Sequence, residues 1–304
     1  MGSLIPGSVT GNHPSTAEDA PRLSGRSRSR RFAALRRLSP AGWISLEVVL
    51  ILLVPLAAPQ ILTGYDPVAV TPEAIFLPPS AAHWLGTDQY GRDLLSRIIY
   101  GARASMSLGI VSVSLSLAIG LPLGIIAGFY RGRFESAVMR GMDIMMAFPG
   151  ILLALVVVAM LGPGLINAMI AVGIGEAPAY TRIVRSAVLT VREQTYIEAA
   201  RAIGARDTLI LRRYVLPNVL SPVIIVATVG FAVAVIIGSS LGFLGLGAQP
   251  PTPEWGTMVA EGRTYLRSQW WIALTPGITI GIVVLALNIL GDALRDVLDP
   301  RLRG

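Results

Sequence analysis

The chain has 304 residues, 53% hydrophobic and only 14% charged, with a formal net charge of +7 and a mean hydropathy of +0.64. That balance is too apolar for an ordinary soluble domain and marks an integral membrane protein, which its apolar segments of membrane-spanning length make all-α. Cysteine and lysine are absent, which excludes disulfides, thiolate metal sites, cysteine nucleophiles, Ser-Lys pairs and a Walker A lysine. The only imidazoles are His13 and His83, so no catalytic residues, bound metal or cofactor are expected, and any ATP must be hydrolysed by another polypeptide.

In chain order, residues 1–42 are rich in Ser, Gly, Pro and Arg and lack the apolar stretch of a signal peptide, so they read as a disordered basic tail. Arg26, Arg28, Arg30, Arg31, Arg36 and Arg37 suit anionic lipid headgroups at about 1 kcal/mol each near the surface. A solvated tail whose charge merely holds the N-terminus inside is the favoured account of them. A crossing of the hydrocarbon core takes roughly 20 apolar residues, and six segments qualify: Trp43 to Leu62, Ser105 to Tyr130, Ala137 to Leu161, Leu165 to Leu189, Pro222 to Gly247 and Trp271 to Gly291. The expected organisation is a first span and external loop over 43–104, a five-helix core over 105–292 with a polar loop at 190–220, and a tail over 293–304.

With the N-terminus inside, 20 arginines fall on the inner side and five on the outer, namely Arg92, Arg97, Arg103, Arg263 and Arg267. The positive-inside rule then puts both termini in the cytoplasm, and it explains the pI of about 10.3 without a nucleic-acid partner. Between the first two spans, residues 92–104 place Leu94, Leu95, Ile98, Ile99 and Ala102 on one face and Asp93, Ser96 and Arg97 on the other. That pattern predicts an amphipathic helix lying on the outer surface, either braced against lipid or touching a docked protein.

In the third segment Pro149 predicts a kink that would serve as a hinge, and Met142, Met145 and Met146 read as flexible packing. Ionisable groups inside spans are expensive and face protein or water. Here they are Glu47, Asp143, Glu176 and Asp292. Asp143 and Asp292 lie near cytoplasmic ends, where solvation or pairing with arginine accounts for them; Asp143 is retained as a pathway candidate. Glu176 lies mid-span beside Pro178, placed either to line a cavity for a cationic cargo group or to pair with Arg182 or a partner subunit.

From Glu193 to Ala202 the spacing of Tyr196 or Ile197, Ala200 and Ile203 predicts an amphipathic helix, stopped by Gly204 at the C′ position. Asp207 is expected to cap a second helix ending at Pro217, and Ser221-Pro222 to begin the next span. Gly238 and Gly242, four residues apart, predict a close helix seam, read as a seam between subunits ahead of packing within this one. From Gln249 to Gly256 the Pro-rich stretch cannot be helical throughout and forms a stiff rim or connector.

Glu198-Ala199-Ala200, then Gly204 and Leu216-Pro217, resemble the EAA loop of membrane subunits of bacterial ATP-binding-cassette (ABC) importers. Further similarity to the C-type permease subunit of the dipeptide, oligopeptide and nickel importers lies in His83-Trp84-Leu85-Gly86-Thr87-Asp88 with Gly91-Arg92-Asp93, in Phe243-Leu244-Gly245-Leu246-Gly247, and in Pro250-Pro251-Thr252-Pro253-Glu254-Trp255-Gly256. Gly291-Asp292-Ala293-Leu294-Arg295-Asp296 with Asp299-Pro300 also fits. The resemblance covers about residues 43–303.

It implies a type I ABC importer permease fold: six transmembrane helices with a cytoplasmic EAA helix-turn-helix loop, in a bacterial plasma membrane. The implied partners are a homologous B-type permease subunit, two cytoplasmic ATPases and an external substrate-binding protein, beside membrane lipids. Glu198, Ala199, Ala200, Gly204, Ala205 and Asp207 would contact an ATPase. Arg92, Asp93, Arg97, Glu254 and Trp255 become candidates for contact with the binding protein. Tyr214 departs from the family, which often has Ile there, and its ring is expected to fill the same apolar position. The implied cargo is di- or oligopeptides, with nickel chelates, glutathione or haem-like compounds as alternatives. A secondary transporter working without ATP is the main rival from another class, but no inverted repeat is evident between the two halves.

Overall fold

The structure is a computed structural model in which residues 40–298 are described. The expectations for the basic tail, apart from its last three residues, and for Asp299-Pro300 lie outside the described residues.

Among the described residues ten α-helices run in order: α1 Pro40–Ala57, α2 Leu94–Tyr130, α3 Gly132–Met146, α4 Gly150–Leu161, α5 Leu165–Arg192, α6 Thr195–Ala202, α7 Asp207–Ile210, α8 Leu216–Phe243, α9 Trp255–Gly262 and α10 Trp271–Leu298. Residues 58–93 and 244–270 gather at one end of the bundle, the cap. Residues 193–215 form an elbow at the other.

Among the described residues four segments are long and apolar enough to cross a membrane: α1, α2, α7 running through α8, and α10. The pair α3 and α4 makes a fifth if a bent pair counts as one span. That bend is 91°, a right angle where the sequence predicted a kink. Pro149 disfavours helix at Phe148, and it stands at the N-cap of α4 in an extended conformation, its carbonyl accepting the first bonds of the new helix from Leu152 and Leu153. Helix α5 has 28 residues, and Glu176, Arg182 and Arg185 interrupt its apolar run.

Several predicted boundaries move. Helix α1 ends at Ala57, before Pro59, and α10 continues past Gly291 to Leu298. The expected surface helix over 92–104 does not exist as a separate element. It is the first turns of the 37-residue α2, with Ser96 and Arg97 as deeply buried as Leu94 and Ala102. Amphipathic spacing misleads there because the loop over the supposed polar face supplies partners for it.

The most extensive helix contact joins α2 to α5, and it rests on small residues four apart. Ser112, Ser116, Gly120, Gly124 and Gly128 are all buried. The two serine hydroxyls donate to the Met169 and Gly173 carbonyls of α5 at 2.9 and 2.8 Å. A methyl group at Gly120, Gly124 or Gly128 would lie within 3 Å of the Cβ of Tyr180, Val184 or Val188. This backbone approach is the device small-residue stripes provide in lipid, where no hydrophobic force drives helices together. Helix α8 packs on both, while α10 bridges α8 and α1.

Candidate functional site

At the elbow, α6 turns Ile197 and Ala200 into a cluster with Phe129, Val188, Ile210 and Val215, all buried. Its end is a Schellman turn: Gly204 has φ +82°, its N–H donates to the Arg201 carbonyl at 2.9 Å, and the Ala205 N–H reaches back to Ala200 at 3.0 Å. Gly204 is therefore the C′ residue that the sequence predicts. Open space surrounds it, so glycine is needed for its backbone angle alone. Arg201 lies over the Phe129 ring at 5.4 Å, Arg192 donates to the Phe129 carbonyl at 2.6 Å, and Tyr214 is half-buried with its ring 6.0 Å from that of Tyr196.

What the elbow presents outward is Glu198, Ala199, Ala202, Ile203 and Gly204, with Ala205 half-buried behind them. Ile203 is 86% exposed, an apolar side chain at the tip of a rigid turn. Several expectations are corrected here. Ala200 faces the core, because it shares the stripe with Ile197, whereas Ile203 leaves that stripe at the C-cap. Asp207 is the first residue of α7 and not its cap; the cap position belongs to Arg206 and no side chain bonds there. Nor does the second helix end at Pro217. A π-helical turn over Leu211–Val215 carries the chain into α8, and Pro217 falls in the first turn of that helix, where a missing N–H is tolerated. Pro222 lies inside α8 for the same reason of continuity.

At the cap, Asp93 is the N-cap of α2. Its carboxylate accepts from the Ser96 N–H and hydroxyl, both at 2.8 Å, while His83 Nδ1 lies 2.9 Å from its other oxygen. Gly86 and Gly91 take φ +78° and +72° with backbone pressed against them, which explains their place in the stretch His83 to Asp93. Asp88 binds Arg92 at 2.6 Å and lies 3.5 Å from Arg97, and both arginines reach Glu261, at 3.0 and 3.3 Å. Arg97 also donates to the Pro67 carbonyl at 3.2 Å.

Glu254, 1% exposed, caps α9 by accepting from the Gly256 and Thr257 N–H groups at 2.8 Å, and it accepts from Ser105 of α2 at 3.2 Å. Burial pushes this carboxyl up from its ordinary range, against the pull of those bonds. The Trp255 indole donates to the Ile98 carbonyl at 3.0 Å. Arg92, Asp93, Arg97, Glu254 and Trp255 are thus all buried and present no surface to a docked protein. They brace the cap against the bundle.

Gly238 and Gly242 are likewise packed within this subunit. A methyl at Gly238 would lie 2.1 Å from Leu108, and one at Gly242 would lie 2.2 Å from Glu254 Oε2. The seam they make joins α8 to α2 and to the α9 cap. Asp143 pairs with Arg182 at the surface, and Glu135 with Arg185 beside it, so two ion pairs tie α3 to α5. Glu176 is half-buried near the start of α4, its Oε1 3.4 Å from where a methyl of Gly150 would stand. Arg182, one of the partners considered for Glu176, pairs with Asp143 instead.

The chain matches the family described as "Binding-protein-dependent transport system inner membrane component" over residues 120–304. It is 48% identical to a protein named "Di/tripeptide transport system permease protein DppC" from Pseudomonas aeruginosa over 264 residues, 85% of this chain and 87% of that one. Identity is 43% over 257 residues with "Probable D,D-dipeptide transport system permease protein DdpC" of Escherichia coli, covering 84% of this chain and 86% of the other. It is 47% over 225 residues with "Glutathione transport system permease protein GsiD" of Pectobacterium atrosepticum, covering 74% and 75%. Among solved structures, an inward-facing MetNI methionine ABC transporter chain superposes with a TM-score of 0.55 at 24% identity, over 66% of this chain and 96% of its own. That likeness speaks for the fold. An all-helical bundle with several apolar spans, matched on this scale, belongs to the family of inner-membrane components of binding-protein-dependent transport systems, the multi-pass permease subunits of ABC importers.

Proposed function

We propose that this chain forms half of the translocation pathway of a bacterial ABC importer for di- and oligopeptides. In that reading α5 and the bent pair α3 and α4 both cross the bilayer, giving six spans with both termini in the cytoplasm. The elbow faces the cytosol and seats on an ATPase, a homologous permease subunit supplies the other half of the pathway, and an external binding protein delivers cargo at the cap. ATP is hydrolysed in the separate ATPase subunits.

The peptide assignment rests on the 48% identity with a relative named for di- and tripeptide transport. Glutathione is the second reading, favoured by the relatives named for it at 47 and 46% identity. For coupling, the supporting observation is the elbow tip. Ile203 stands almost fully exposed beside Ala199, Ala202 and Gly204 on a turn whose other face is locked into the core. Small residues around one apolar side chain let a partner cleft close on it, and a load on that turn is carried directly into α5 and α8.

The test is to tag the chain, extract it gently and identify what co-purifies, for wild type, Ile203→Asp and Gly204→Asp. The expected result is recovery of a second permease and of ATPases with wild type, and loss of the ATPases alone in both variants. A chain that purifies alone in every form would overturn the reading and favour a transporter that works without ATP.

A further inference from the structure

Glu176 and Tyr180 lie one turn apart on the same side of α5, where α4 begins and α8 crosses. Neither side chain has a hydrogen-bond or ion-pair partner among the described residues. Around Glu176 the nearby arginines of α5 are committed, Arg182 to Asp143 and Arg185 to Glu135, and no described residue bonds or ion-pairs with its carboxylate. Its Oε1 rests against the start of α4, a helix end that no side chain caps, and whose positive dipole favours a carboxylate.

Tyr180 is 2% exposed and its hydroxyl has no hydrogen-bond partner. The seat of that hydroxyl is cut from α8 by Gly230, where a methyl would stand 1.9 Å from the oxygen. Phenylalanine would fill the same space without leaving a buried hydroxyl unsatisfied. Packing therefore accounts for the ring of Tyr180 and not for its oxygen.

An unpaired carboxylate and an unpaired hydroxyl, one helical turn apart at the junction of three helices, complement a cation that carries a neighbouring carbonyl. We infer that Glu176 and Tyr180 form a cargo station inside the pathway, where the Glu176 carboxylate accepts hydrogen bonds from the ammonium end of a peptide and the Tyr180 hydroxyl donates to a carbonyl next to it. The inference rests on the permease reading above. Parting of α5 from α8 at Gly230 gives cargo access to the hydroxyl, so the station forms during the transport cycle.

The test uses the whole complex, with its partner subunits, in proteoliposomes with ATP inside and loaded binding protein outside, and labelled dialanine as the probe. Uptake, complex recovery and melting temperature are measured for wild type, Glu176→Gln, Glu176→Asp and Tyr180→Phe. The station predicts that Glu176→Gln lowers maximal uptake at least tenfold and that Glu176→Asp restores part of it. Tyr180→Phe lowers uptake several-fold while its melting temperature stays level or rises. Wild-type uptake in both Glu176→Gln and Tyr180→Phe would overturn the station and leave the permease reading standing. So would parallel falls in uptake, recovery and melting temperature, which mark a structural role. A wild-type complex that assembles but moves no dialanine would overturn the peptide assignment and this inference with it.

Discussion

Gly242 of α8 lies directly beneath Glu254, whose Oε2 would be 2.2 Å from any β-carbon placed there. The same carboxylate caps α9 and bonds Ser105 of α2, so one buried acid joins three helices. Gly242→Ala is expected to destabilise the protein by about 1 to 3 kcal/mol, since the neighbour is a fixed carboxylate in a packed interior. Gly281→Ala, at an exposed helical position with open space around it, should be neutral or gain up to about 1 kcal/mol. Thermal melts of the two variants in detergent would separate these outcomes, and equal melting temperatures would refute the packing account.

Arg92 and Arg97 lie side by side in the cap, held by Asp88 and Glu261. Asp88→Asn leaves two buried guanidinium groups facing one carboxylate, that of Glu261, which is 23% exposed. Removing one partner of a buried ionic group costs about 3 to 5 kcal/mol. The expected outcome is poor recovery of folded protein, read by size-exclusion profile after extraction. Glu261→Gln, at the wetter side of the cluster, should be milder.

The two pairs between α3 and α5 differ in burial. Arg182 and Asp143 are both about half exposed, whereas Arg185 and Glu135 are 31 and 15% exposed. A double-mutant cycle should give a coupling of about 0 to 1 kcal/mol for the exposed pair and a larger value for the more buried one. If the exposed pair proved the stronger, the right-angle corner would depend on its surface electrostatics instead of on Pro149.

Gly204 has open space around it and a positive φ, so its substitution tests backbone strain in isolation. Gly204→Ala is expected to cost about 1 to 2 kcal/mol through the left-handed conformation alone, with Gly204→Asn costing less because asparagine tolerates that region. Thermal melts of the two variants would check the order. A neutral Gly204→Ala would mean that the elbow does not need the turn seen here.

The chain alone determined its solvent and its punctuation. Composition set a membrane-embedded protein, the length of its apolar segments made it helical, and the stop at Gly204 was legible because only the residue without a β-carbon takes that backbone angle freely. Asp93 as a helix cap was also within reach, since Asp directly before an apolar run is a favoured N-cap, although the amphipathic pattern of residues 92–104 equally fits a surface helix. The stripe Ser112, Ser116, Gly120, Gly124, Gly128 was a readable signal for the main helix contact, missed because Gly238 and Gly242 show the same spacing.

Tertiary structure decided which faces are covered. Hydrophobic periodicity reports that one side of a helix avoids water, but a polar face looks the same whether it meets solvent or a buried partner. So Arg97 and Glu254 were placed at the surface and prove to be internal braces, while Ile203 was counted with an apolar stripe and proves to be the exposed tip. Some of the partners that bury these polar groups come from 100 or more residues away, as Glu254 reaches Ser105 and Arg97 reaches Glu261. Pairings at that distance are fixed by the path of the backbone through the folded bundle, because no local spacing rule links residues so far apart in the chain.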